Sequence, residues 1–163
     1  MAVNIHIKID TIPGMSAVKG FEDQIQVMSF SWGMTQTTNF AVSQGGSAGK
    51  VNIQALTFTH MVDKATPKLM TACCTGQHIP KAELTCTKEG GDANVAFLKI
   101  TLTDILVSGV SPAGSNSDDT VMEQVSLSFA EYKIEYQEQD NKGAKKGGPV
   151  IAGFNVQKNA KTA

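Results

Sequence analysis

The chain contains no arginine: all 14 of its basic residues are lysine. That counts against nucleic-acid recognition, in which guanidinium forks grip phosphates and guanine edges. It also removes the usual anchor for a phosphate or carboxylate substrate. Charge of either sign is scarce. Only 18% of the 163 residues are charged and the formal net charge is −1, against about 25% charged in a typical domain. No basic patch favours a membrane surface. The surface must therefore be rich in neutral Ser, Thr, Gln, Asn and Gly, and a chain this weakly charged often hides part of its surface in an assembly. Cysteine is limited to Cys73, Cys74 and Cys86. An odd number, an adjacent pair and no C-x-x-C spacing fit a reducing compartment rather than a disulfide framework. No basic segment followed by an apolar one precedes the first strand pattern, so no ordinary signal peptide is expected. Unbroken apolar runs are only a few residues long, which excludes a membrane-spanning helix. Export would need a route that ignores N-terminal signals.

At 17.3 kDa the chain suits one domain, residues 1–163, with a core that needs no disulfide or metal. Its dominant period is two. Val3, Ile5, Ile7 and Ile9 alternate with Asn4, His6, Lys8 and Asp10, a half-buried strand. Pro13-Gly14 and Gly20 mark an irregular connection. A second strand is predicted over 24–37, a Gly/Ser-rich loop over 38–50 and a third strand over 51–62. One helix is expected at 66–75, with Thr66 as cap, Pro67 in the first position and Gly76 as a left-handed stop. Leu69, Met70, Cys73 and Cys74 form its apolar stripe. Further strands are expected at 80–88, with Ala82, Leu84 and Cys86 inward, then at 95–110, 120–137 and 149–156. Gly90-Gly91 turns the chain, 111–119 and 140–148 are loops, and 157–163 is a polar tail.

Four strands change phase partway. The second buries Ile25 and Val27, then Met28, Phe30, Trp32 and Met34. The third passes from Val51 and Ile53 to Leu56, Phe58 and Val62. The fifth passes from Leu98, Ile100 and Leu102 to Ile105 and Val107, and the sixth from Val125, Leu127 and Phe129 to Tyr132, Ile134 and Tyr136. A phase change within a strand means a bulge or sharp bend. Long bent strands in an all-β chain suit a small barrel, although bends also occur at the corners of a sandwich.

Catalytic signatures fail on inspection. Residues 44–51, Gln-Gly-Gly-Ser-Ala-Gly-Lys-Val, approach a phosphate-binding loop. The first glycine and the final Ser or Thr are missing, and a strand follows instead of a helix. Ser29-Phe30-Ser31-Trp32-Gly33 lacks the first glycine and the strand-to-helix turn of a hydrolase elbow. His6, His60 and His78 show no metal-ligand spacing, and His60 reads as a hydrogen-bonded core or interface histidine. Asp118-Asp119 has no ligand ladder for calcium. No catalytic residue, metal site or cofactor is expected.

The polar rows are more informative. Ser29, Ser31, Gly33, Thr35 and Thr37 share one face of the second strand. Ala55, Thr57 and Thr59 do so on the third, and Gln124, Ser126, Ser128 and Ala130 on the sixth. Thr101 and Thr103 lie between the core positions of the fifth. These rows are small, neutral and rich in hydroxyls, where an ordinary solvent face would carry more Lys and Glu. They fit either a weakly charged exposed sheet or a smooth surface that faces protein.

The order of several segments resembles the haemolysin-coregulated protein family, Hcp, the tube protein of bacterial type VI secretion. The resemblance runs from Val3-Asn4-Ile5-His6-Ile7-Lys8-Ile9 through Ser31-Trp32-Gly33 and Ala48-Gly49-Lys50-Val51. It continues with Thr57-Phe58-Thr59, Thr66-Pro67-Lys68-Leu69-Met70, Cys73, Gly76 and Glu89-Gly90-Gly91. Phe129-Ala130, Tyr136-Gln137 and Gly147-Gly148-Pro149 with Gly153 complete it. It implies an all-β fold with one short helix, a two-sheet β-barrel assembling into a homohexameric ring. It also implies stacking of rings into a tube inside a contractile sheath with a spike, cytoplasmic until firing and then secreted without a signal peptide. The implied partners are further copies of the chain, sheath, spike and small effector proteins, with no nucleic acid and no membrane. By matching position, 38–50 is the extended loop between subunits or rings, with Gln44, Gly45, Gly46, Ser47 and Gly49 at its contact. Ser31, with Ser29, Thr35, Thr57 and Thr59, falls on the lumen face that would contact effectors. A stand-alone barrel or sandwich binding module without catalytic activity is the alternative.

Overall fold

The computed structural model describes residues 2–41, 47–88 and 95–163. Thirteen short and long strands and one helix are seen among them. The first strand, β1 (Val3–Ile9), is followed by β2 (Ile25–Val27), β3 (Ser29–Ser31), β4 (Met34–Thr35), β5 (Thr38–Asn39), β6 (Ser47–Ala48), β7 (Asn52–Ile53) and β8 (Leu56–Met61). The helix α1 (Thr66–Thr75) separates these from β9 (Ile79–Lys88), β10 (Val95–Ala113), β11 (Met122–Tyr136), β12 (Val150–Asn155) and β13 (Ala160–Lys161). The fold is all-β with one short helix, as the alternation predicts.

Two long strands each run through both arms of the main sheet. The first part of β10 pairs with β9, Val95↔Lys88 to Ile105↔Ile79. The end of β11 pairs with β12, and its beginning pairs with β8, Met122↔Met61 to Leu127↔Leu56. These nine strands form one hydrogen-bonded sheet with two arms: sheet one denotes β13–β12–β11–β10–β9–β1–β2, and sheet two the arm β10–β11–β8–β3. The second-strand phase change is the corner between them. β2 lies on β1, β3 lies on β8, and the intervening Met28 N–H donates to the Thr59 carbonyl at 2.8 Å. The pairings thus lead from β1 round to β8 and back.

The other phase changes have backbone causes. Asp104 adopts φ 54°, so Leu102 and Ile105 both point inward although they are three positions apart. The register slips again between Val107 and Gly109. In β11 the inward side passes from Leu127 to Tyr132 across Ala130, whose carbonyl accepts from Val156 N–H at 2.7 Å. Trp32 packs edge-on to Tyr132 at 4.8 Å and donates its indole N–H to the Gln54 carbonyl at 2.9 Å.

The core joins Ile7, Ile25, Leu56, Phe58, Leu84, Ile100, Leu102, Ile105 and Leu127 to Leu69 and Ala72 of α1, which packs on β10. The helix span is as predicted, and Gly76 ends it at φ 67°. Its start and stripe differ. Ala65 is the N-cap, and Thr66 is instead buried inside the first turn, where its hydroxyl donates to Glu123 Oε1 at 3.3 Å. Pro67 accordingly takes the second helical position. Thr66, Leu69 and Ala72 are the buried set, while Met70 and Cys74 are exposed. The expected single strands at 24–37 and 51–62 are broken into short pieces. Met28, Met34, Val62 and Tyr136 are exposed rather than inward, and β10 extends to Ala113 through part of the predicted loop. The Gly90-Gly91 turn lies outside the described residues.

Beside Thr66, a polar pair sits in the core. His60 Nε2 and Glu123 Oε1 share a hydrogen bond of 2.8 Å, and neither residue is more than 1% exposed. Breaking such a pair leaves a buried polar group without compensation, at about 3–5 kcal/mol. Glu123→Ala should therefore cost about 3 kcal/mol or more in urea unfolding. Glu83→Ala, at the partly exposed Lys99–Glu83 bridge of 2.8 Å, should cost no more than about 1 kcal/mol. Equal losses would contradict this contrast.

Candidate functional site

The outer faces of the two sheets differ in chemistry. On sheet one, Lys8 lies opposite Glu83, Glu83 opposite Thr101, and Thr101 opposite Lys133. Lys99 and Lys81 reach Glu83 at 2.8 and 3.3 Å, and Lys133 reaches Glu135 at 3.5 Å. Burial works against the charge of Glu83, but the hydrogen bonds and charges of Lys99 and Lys81 overcome it and hold the carboxyl below its ordinary range. This is a solvated, charge-paired surface.

Sheet two carries no charged side chain on its outer face among the described residues. Its rows run Met61–Met122–Ala113, then Ser29–Thr59–Gln124–Ser111, then Ser31–Thr57–Ser126–Gly109, with Ser128 opposite Leu106. Phe30, Phe58, Val125 and Leu127 occupy the alternate positions and face the core. The period of two thus places every small hydroxyl on one side. The hydroxyls pair across strands: Ser29 with Thr59 at 2.5 Å, Thr57 with Ser126 at 3.1 Å, and Ser128 donating to Ser108 at 3.1 Å. Ser108 also donates to the Ser126 carbonyl at 3.2 Å. Ser31 has no side-chain partner among the described residues. Its hydroxyl is exposed and remains available to an outside group.

Of the residues picked from sequence, Ser29, Ser31, Thr57 and Thr59 come together in this patch. Thr35 does not join it, because β4 leaves the sheet and pairs with β7, Thr35 opposite Asn52. Thr101 and Thr103 lie on the charged face of sheet one, opposite Lys133 and Glu131. The sequence reading missed Ser108, Gly109 and Ser111. The left-handed Asp104 and the slip at Gly109 carry the end of β10 into sheet two, and the Ser108-Gly109 dipeptide was the available signal.

Gln44, Gly45 and Gly46 lie outside the described residues. The backbone of Ser47 pairs with Asn39, and Gly49 N–H donates to the Thr37 carbonyl at 2.9 Å. The segment 38–50 therefore carries a two-residue ladder, beside which Phe40 is 79% exposed. Gly49 also borders a cavity of about 280 Å³ with Met34, Val51, Ile53, Tyr132 and Phe154.

Other reactive groups are not assembled into a site. Burial pushes the Cys86 thiol up to about 11, far from a reactive thiolate. His78 Nδ1 meets Asp104 Oδ1 at 2.8 Å on the surface, without a nucleophile paired to it. No group of three or more potential metal ligands occurs among the described residues. No helix among them is long and apolar enough to cross a membrane.

What remains is a β-rich domain with a charged face and an uncharged, hydroxyl-lined one. The family model described as "Type VI secretion system effector, Hcp" matches residues 6–136. The chain is 47% identical over 159 residues to the protein hcp1 of Pseudomonas aeruginosa, covering 98% of each. It superposes on the Hcp1 crystal structure from Salmonella typhimurium with a TM-score of 0.80 and 34% identity, covering 99% of this chain and 100% of that one. Another solved type six secretion system protein gives a TM-score of 0.93 at 29% identity, with the same coverage. The chain belongs to the Hcp family of type VI secretion proteins.

The hydrogen-bond pattern predicts unequal effects of removing hydroxyls. Ser31→Ala should leave the urea midpoint within about 0.5 kcal/mol of the parent, since no partner is lost. Thr59→Val removes the partner of Ser29 and should cost about 0.5–1 kcal/mol. A larger loss for Ser31→Ala would contradict its standing as an unpaired hydroxyl.

Proposed function

We propose that this chain is a structural subunit of the type VI secretion tube and a carrier of effector proteins. Six copies form a ring with the hydroxyl face of sheet two toward the lumen, and rings stack inside the contractile sheath beneath a spike. The subunit is made in the cytoplasm and leaves the cell with the tube. The extended loop, with Gln44, Gly45, Gly46, Ser47 and Gly49, contacts a neighbouring subunit or ring. The protein is not an enzyme and uses no cofactor.

One observation carries this reading. Charge is segregated between the sheets, and the uncharged face belongs to a family that self-assembles. A wall of small hydroxyls leaves a passage open and does not trap a charged cargo by ion pairing. Most of its hydroxyls are already paired with one another. Ser31 is a free group at the β3 edge of the patch, with Ser29, Thr57 and Thr59 beside it, and Thr35 lies further along the same chain segment.

The test is Ser31→Gln. The longer amide projects from the face without disturbing the core, so assembly size on a column should be unchanged. Retention of a co-expressed effector should fall at least tenfold. Full retention of effector by correctly assembled Ser31→Gln protein would overturn the placement of this face.

A further inference from the structure

The connection between β1 and β2 is a closed loop laid over a buried histidine. It begins after Ile12 and ends at Ile25, which are 4% and 0% exposed and anchor it in the core. Thr11 and Asp23, at φ 68° and 59°, turn the chain at its two ends. Its neck is closed by Gly14 N–H donating to the Asp23 carbonyl at 2.8 Å and Ser16 N–H to the Gln24 carbonyl at 3.0 Å. A Cβ on Gly14 would lie 2.5 Å from that Gln24 oxygen, so only glycine lets the two arms meet. The remaining hydrogen bonds also stay inside the loop: Phe21 N–H to the Val18 carbonyl, Asp23 N–H to the Ser16 carbonyl, Gln24 N–H to the Phe21 carbonyl, Val18 N–H to Ser16 Oγ, and Gly20 N–H to Glu22 Oε2. Among the described residues, none ties 13–23 to β1 or β9.

The evident link to the sheet is an aromatic contact. The Phe21 ring stacks on the His6 imidazole with centroids 4.7 Å apart and planes 11° from parallel. His6 projects from the outer side of β1 yet is 0% exposed, and neither ring nitrogen has a hydrogen-bond partner. We infer that residues 13–24 are a strap held shut by the neutral His6 imidazole and released when that ring takes up a proton.

The surroundings offer the cation nothing. On β1 its same-face neighbours are Asn4 and Lys8, with Asp10 beyond. On β2 the opposing residue is Gln26. On β9 it is Thr85, flanked by Glu83, whose carboxylate is already held by Lys99 of β10 and by Lys81. The strap itself contributes Lys19, Asp23 and Glu22, and Glu22 is occupied by Gly20 N–H. Among the described residues no carboxylate hydrogen-bonds the ring. A protonated imidazole there would be desolvated and unpaired, the costly case for a buried polar group. Burial accordingly lowers the His6 pKa from 6.5. The open or unfolded chain then binds the proton more readily than the closed one. Closure is fully stabilised above about 6.5 and loses support as pH falls from there toward the lowered value. Because the loop's hydrogen bonds are internal, it can swing away as a unit, between anchors that stay in the core.

The test replaces Phe21 by 4-fluorophenylalanine in the full chain and follows its ¹⁹F resonance from pH 7.5 to 5. One buried line is expected at pH 7.5. A solvent-exposed line should grow below pH 6.5, the exposed-to-buried ratio rising at least tenfold by pH 5. In His6→Phe, which keeps an aromatic partner without a titrating group, the buried line should persist throughout. His78→Gln, at the exposed Asp104 pair, should behave as the parent. A single line at every pH in the parent, loss of the transition in His78→Gln, or the same transition in His6→Phe would each overturn the inference. Should His6→Phe fail to fold, the parent imidazole titration decides: a value at or above 6.5 overturns it, and a lower one matching the ¹⁹F midpoint supports it.

Discussion

β10 and β11 belong to both sheets at once, and the fold depends on how they do so. Over one half of their length they pair with β9 and β12, and over the other half β11 turns to β8. For a strand to bury apolar side chains in both halves, its inward side must change where the partner changes. Asp104 and Ala130 make that change opposite each other, between the pairs Thr103↔Glu131 and Ile105↔Phe129. The backbone at Asp104 is the left-handed one that L residues seldom adopt, and it persists because Leu102 and Ile105 are both buried on either side of it. Trp32, Phe129 and Tyr132 fill the space where the strands bend, with edge-to-face contacts of 4.8–6.4 Å.

That bend also separates the two surface chemistries. On one side of it the outward positions are Lys and Glu, held in cross-strand bridges. On the other side they are Ser, Thr, Gln, Met and Gly. A single pair of strands thus presents a charged face and a neutral one without a second domain. The neutral hydroxyls largely satisfy one another, so the face is polar without being adhesive. Under the proposed function, such a wall serves passage better than tight capture and leaves specificity to the few groups, Ser31 among them, that lack partners.

The alternation of β1, the helix span with its Gly76 stop and the phase changes were all legible in the residues, because burial on one face imposes a period that composition cannot hide. The hydroxyl rows of β3, β8 and β11 were legible for the same reason. Thr101 and Thr103 were misassigned because a row of small polar residues does not tell which sheet its half-strand joins; that is decided by a backbone turn at Asp104. Thr66 was read as a cap because Thr before Pro usually is one, yet its hydroxyl is drawn inward by Glu123. That carboxylate is remote in sequence, although it lies in phase with the inward Val125 and Leu127. Met70 and Cys74 look like part of a helical stripe, but a ten-residue helix packed on β10 needs only the narrower row through Leu69 and Ala72. The helix stripe and the Thr66 contact are tertiary choices among locally equivalent options.

The central claim is that the uncharged face of sheet two is an inner surface of an assembly. Native mass spectrometry of the full chain, at two protein concentrations and two salt strengths, tests it most directly. The account predicts a dominant species near six times 17.3 kDa, retained at higher salt because the interfaces of a weakly charged chain are not built mainly from ion pairs. A clean monomer at the higher concentration would contradict it and leave the hydroxyl face as an open binding surface.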